Sequence, residues 1–175
     1  MTATLFRTPA AAWDADVSQQ NLRHGLAAFP TGVVAVTGMV DGVREVMISS
    51  SFGVGISWEP ALVSFSAQNS SRTWPRLRRA ESIGISLLAE DQTHLCRQLS
   101  SREGDRFAGV HVHDAPAGAP LLDGAALWLE TRLHAEVPAG DHTVVLLEVT
   151  GFADHTDAVA PAALHRNLFH GLNAL

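Results

Sequence analysis

The longest alternating run in the chain spans residues 126–137. Leu127, Leu129, Thr131, Leu133 and Ala135 alternate there with Trp128, Glu130, Arg132, His134 and Glu136. A period of two marks a strand with two unlike faces, not a helix. The run stops at the turn Pro138-Ala139-Gly140-Asp141, and residues 143–149 return as a second strand. The pattern recurs upstream. Residues 33–40 are rich in valine, Asp41-Gly42 is a hairpin signal, and residues 43–48 run back. Residues 61–67 and 83–89 add further strands, which gives six or seven in all. Strands joined by hairpins predict a mainly β chain, folded as an antiparallel barrel.

Short helices fit between these strands. Ser18 is placed to cap one running through residues 21–29, which Pro30-Thr31-Gly32 ends. Ser70 or Ser71 can cap a second over 74–79, with Pro75 early, where proline is tolerated. Residues 90–99 predict a third, with Leu95 and Leu99 on one face. A last short strand or helix is expected around 164–169. Residues 100–124 form a long connection rich in glycine and proline, and a connection of that length in a compact domain usually serves function. Residues 1–17 read as a loose arm and 18–175 as one domain.

Composition removes several chemistries. All 12 basic residues are arginine. Without lysine there is no Schiff base and no phosphate loop ending in Gly-Lys-Ser/Thr. Without tyrosine there is no phenolic acid or base. Cys96 stands alone, so no internal disulfide forms, and it reads as a core residue. A net charge of −6 argues against a nucleic-acid surface but leaves room for a local anion site. No membrane helix and no secretory signal are expected, so the cytoplasm is the default location.

Three stretches could carry chemistry. Ser49-Ser50-Ser51 lacks the surroundings of a serine nucleophile. Its hydroxyls and backbone N–H groups suit a ligand rich in carbonyls and phosphates, or form a polar sheet edge. Asn69-Ser70-Ser71-Arg72-Thr73 precedes a helix and reads either as an anion site or as plain capping. His142 follows a turn and could touch a ligand or close a loop. His111 and His113 lack a third metal ligand nearby, so no metal site is predicted.

Taken in order, several motifs resemble the short-chain flavin reductase family, the reductase components of two-component flavin-dependent monooxygenases. They are Phe29-Pro30-Thr31-Gly32-Val33, then Val46-Met47-Ile48-Ser49-Ser50-Ser51-Phe52, then Ser57 and Pro60-Ala61-Leu62-Val63. Ser71-Arg72-Thr73-Trp74, Leu88-Ala89-Glu90-Asp91-Gln92, Asp105-Arg106-Phe107-Ala108-Gly109-Val110 and Gly140-Asp141-His142 complete the set. The resemblance covers residues 22–172.

It implies an FMN-binding split barrel with a few short flanking helices, and a homodimer with flavin near the subunit interface. The implied activity is hydride transfer from NADH, or NADPH, to FAD or FMN. Reduced flavin then diffuses to a partner monooxygenase. The alternative is a flavin-binding split-barrel module without reductase activity. By carry-over, Thr31, Gly32, Val33, Met47, Ile48, Ser49, Ser50, Ser51 and Phe52 would line the flavin ring and ribityl chain. Asn69, Ser71 and Thr73 would hold phosphate, and Ala67 and Phe107 complete the cofactor set. His142, the one catalytic candidate, would form the nicotinamide side with Arg166 and Phe169. Two departures stand out. Ile48 occupies a position where the family has threonine, and Phe169 one where it often has tyrosine.

Overall fold

The computed structural model describes residues 15–172. Most of the expected N-terminal arm, residues 1–14, lies outside that range. Seven strands form one antiparallel sheet in the order β3-β2-β6-β9-β10-β5-β4. They are β2 (Val34–Val40), β3 (Val43–Ser49), β4 (Gly53–Trp58), β5 (Ala61–Gln68), β6 (Ile83–Leu87), β9 (Leu127–Ala139) and β10 (His142–Asp154). β1 (Thr31–Gly32), β11 (Ala162–His165) and β12 (Leu168–Gly171) make a small second sheet. β7 (Val112–Asp114) and β8 (Pro120–Leu122) pair separately, inside the long 100–124 connection.

The barrel follows from one connectivity fact. β3 and β4 are the opposite edges of the seven-stranded sheet, yet only residues 50–52 join them. Four residue steps reach at most about 14 Å, so the sheet must curl until its edges approach. The edges stay unpaired with each other, which leaves the barrel split, the architecture the resemblance implied.

Burial explains the valine-rich run. β2 is covered on both faces. Val34 and Val36 pack inward with Phe65, Ile85 and Leu147, whereas Val33 and Ala35 pack outward against Leu88, Leu99 and Ala162. A strand covered on both sides reads as continuous rather than alternating. The Asp41-Gly42 turn forms as expected, with φ of 52° and 77°, the left-handed pair a two-residue hairpin needs.

The helices are α1 (Gln19–Leu26), α2 (Trp74–Leu77) and α3 (Leu95–Leu99). The helix expected over 90–99 is broken. Glu90–Gln92 is a 3₁₀ turn, and α3 begins only at Leu95. Polar side chains cause the break. The Ala89 N–H donates to Gln92 Oε1 (3.2 Å), and His94 Nδ1 bonds the Asp91 carbonyl (2.8 Å). The first bond caps the start of the 3₁₀ turn, whereas the second takes the carbonyl that a continuing helix would offer to the Leu95 N–H. Residues 162–171 settle as a hairpin, turned by Arg166 and Asn167 at φ of 51° and 62°.

Candidate active site

A cleft of about 890 Å³ opens beside the split in the barrel, toward the upper end of the ~300–1,000 Å³ usual for small-molecule sites. Residues 46–51 supply one wall, from the end of β3 and the connection after it. A second comes from β5 and the segment leading into α2, and a third from the end of α3 and the turn beyond it, residues 99–106. His142, the first residue of β10, completes the lining.

The lining contains eight serines and four arginines, Arg72, Arg76, Arg102 and Arg106, and no carboxylate. In a chain of net charge −6 this is a local inversion of sign. Hydroxyls and guanidinium groups without acids form a donor set for phosphate and carbonyl oxygens.

One carboxylate stands directly behind this wall. Glu45 is only 7% exposed. It accepts from Arg76 Nε (2.5 Å) and Nη2 (3.1 Å) and from Arg106 Nη2 (2.7 Å). Arg106 Nη1 also donates to the Val46 carbonyl (2.6 Å). Glu45 therefore clasps α2 and the 100–106 segment to the strand whose end lines the cleft. The hydrogen bond from Arg76 holds its carboxyl below the ordinary value of 4.5, burial opposes that shift, and Arg106 reinforces it.

The serine wall is similarly braced. The Ser66 N–H donates to Ser51 Oγ (2.9 Å), and the Ser49 and Ser51 hydroxyls lie 3.1 Å apart. Ser51 thus pins the β3–β4 connection to β5, beside the exposed Ser50. Across the cleft, the Trp74 N–H donates to Ser71 Oγ (3.1 Å). α2 has only four residues, so its start adds little dipole, and the anion character of this wall comes from side chains.

His142 Nδ1 bonds Asp141 Oδ1 at 2.7 Å, and this contact lowers the Asp141 pKa. With Nδ1 engaged, Nε2 is the ring nitrogen left for a ligand. The turn before His142 is held from β5. Asn69 donates its backbone N–H to the Asp141 carbonyl (2.9 Å) and its Nδ2 to the Gly140 carbonyl (3.2 Å), while Asn69 Oδ1 accepts from Thr143 Oγ1 (2.9 Å).

Residues 26–173 match the profile of the flavin reductase like domain. This chain belongs to the flavin reductase family. The reductase is 34% identical over 131 residues to a flavin reductase of Pseudomonas putida, covering 74% of this chain and 76% of that one. It is 30% identical over 156 residues to the reductase subunit of a flavin-dependent monooxygenase from Rhodococcus jostii, with 89% and 79% covered. Among solved structures it resembles an NADH:FAD oxidoreductase of Streptomyces globisporus, determined with NAD and FAD fragments. There the TM-score is 0.84 at 27% identity, over 93% of this chain and 98% of that one.

Eight expected site residues meet at the cleft of the reductase: Met47, Ile48, Ser49, Ser50, Ser51, Ser71, Thr73 and His142. The others stand elsewhere in the subunit. Thr31 and Gly32 pair with β11, and Val33 and Ala67 are buried in the two cores. Phe52 packs against the barrel interior and Phe107 against the outer core. Asn69 braces the His142 turn, and Arg166 and Phe169 lie on the β11–β12 hairpin. His113 stacks on Trp128 with ring centres 5.3 Å apart. Motif reading missed Glu45 and the four cleft arginines as a set. The glycine-rich 100–124 connection, flagged by its length, was the available signal for Arg102 and Arg106.

Proposed function

We propose that this reductase transfers a hydride from NADH to FAD or FMN in the cleft and releases the reduced flavin to a partner monooxygenase. One observation carries this: a cleft lined by four arginines and eight serines, without a carboxylate, in an acidic chain. The donor set fits a phosphate-bearing cofactor. When both cofactors are bound, nicotinamide C4 supplies the hydride and flavin N5 accepts it.

The chain's own residues bind and orient. Ser71, Thr73 and Arg72 hold phosphate, and the segment from Met47 to Ser51 faces the ring system. Its N–H and hydroxyl groups stabilise negative charge at the pyrimidine end. His142 positions the nicotinamide. With Nδ1 turned to Asp141, Nε2 is the ring nitrogen that would meet the carboxamide of a bound nicotinamide. No protein nucleophile is required.

The working form is proposed to be a homodimer. α1 has no buried residue within the subunit, and an isolated eight-residue helix is not stable in water. Trp58 on edge strand β4 is 86% exposed, beside exposed Val54 and Ile56. A second copy would cover such apolar edges. Residues 18–175 are read as one domain working in the cytoplasm, and no helix among the described residues is long and apolar enough to cross a membrane.

The test is steady-state NADH oxidation by the purified protein with FAD, FMN, riboflavin or no flavin. Turnover that depends on added flavin and saturates supports the proposal. Saturable flavin binding with no NADH turnover contradicts it and leaves a binding module.

A further inference from the structure

The four cleft arginines are not equivalent. Glu45 and the Val46 carbonyl occupy the guanidinium of Arg106, and Glu45 with the Arg72 carbonyl occupies that of Arg76. Arg72 and Arg102 remain. Both are exposed, and among the described residues neither guanidinium meets a carboxylate or a carbonyl. They come from separate segments, Arg72 from the approach to α2 and Arg102 from the turn after α3. That turn is shaped by its own bonds. Ser101 Oγ donates to the Glu103 carbonyl (2.9 Å) and accepts the Glu103 N–H (3.1 Å), and Gly104 follows at φ 74°.

From this division we propose that Arg72 and Arg102 form a split anion site that takes the diphosphate of a dinucleotide, with Arg102 as the contact that a mononucleotide cannot use. The inference rests on reading the cleft as the cofactor site. The charge pattern is its basis. A monophosphate ester concentrates nearly two charges on one group, and Ser71, Thr73 and Arg72 together suit it. A diphosphate diester carries one charge on each of two linked phosphates, which matches two single cations presented from two segments. Guanidinium groups are well shaped for such oxygens. The diphosphate belongs either to FAD or to the pyridine nucleotide, and FAD is the direct expectation because Arg72 and Arg102 line the same cleft as the serine wall.

The test measures dissociation constants for FAD, FMN and riboflavin by flavin fluorescence, for the full chain, Arg102→Gln and Arg97→Gln. Arg97 is an exposed arginine outside the cleft lining and serves as the control. The wild-type chain should bind FAD more tightly than FMN. Arg102→Gln should reduce that preference about tenfold, the size of one lost charge-assisted contact, and Arg97→Gln should leave it unchanged. If the preference holds but the KM for NADH rises about tenfold with either flavin, the diphosphate is the nucleotide's and the split site stands. Equal weakening of FAD and FMN, or no change for any ligand, overturns the inference. Absence of saturable flavin binding to the wild-type chain would instead overturn the cofactor reading beneath it.

Discussion

Glu45 illustrates how much one buried side chain can organise. Its carboxylate joins two guanidinium groups from distant parts of the chain, and it has little access to water. Because its pKa is lowered in the folded state, its contribution to stability is present above the ordinary carboxylate value, near 4.5, and is lost as pH falls through the lower folded value. Unfolding by urea should show this as a loss of stability on acidification that Glu45→Gln flattens. At neutral pH the same substitution should cost about 1–3 kcal/mol, less than a fully buried pair because Arg76 is half exposed. An unchanged acid slope would show that the clasp carries no linkage. His142 makes a separate prediction. His142→Ala should raise the KM for NADH about tenfold and change kcat less, as expected for loss of a positioning contact. A large fall in kcat with KM intact would instead make His142 a participant in the chemical step. The Ser49–Ser51 wall and His142 were legible as motifs. Glu45 was not, because its role rests on partners 31 and 61 positions away that no local pattern relates.

At the scale of elements, β9 and β10 carry the architecture. Each has 13 residues, and they pair along nearly their whole length, with two register shifts. The alternation over residues 126–137 announced the first, and the Gly140 turn announced the hairpin. The break in the 90–99 helix was hidden, because side chains bonding to their own backbone override an apolar stripe. The hairpin β7–β8 was hidden for another reason. Its three-residue strands are too short for periodicity, and they are held by their surroundings. Gly84 on β6 shows such a constraint. A methyl group there would overlap the Pro120 carbonyl and Thr37 Oγ1, while Thr37 itself donates to that carbonyl. Gly84→Ala should therefore destabilise by about 1–3 kcal/mol through overpacking, measured by thermal or urea unfolding. A neutral effect would mean that β8 moves aside freely.

At the scale of the molecule, the short joint between the two sheet edges closes the barrel and sets the serine wall beside the split. Pairing order was beyond the sequence patterns alone, since strands of similar composition are interchangeable until their connections are known. The resemblance supplied what periodicity could not. Dimerisation belongs to this scale too. Trp58→Asp should weaken the proposed dimer, and sedimentation should show a shift toward monomer at low concentration. A wild-type chain that is monomeric at every concentration would remove the explanation for its exposed α1 and β4. The most direct test of the central claim, that the acid-free cleft binds flavin and supports its reduction, is anaerobic reduction of FAD by NADH. The wild-type chain should bleach the flavin rapidly and in proportion to NADH, and a Ser50→Asp/Ser71→Asp variant, which places carboxylates on both walls, should lose flavin binding and reduction while keeping its fold. Unimpaired reduction by that variant would contradict the claim and place the chemistry elsewhere on the molecule.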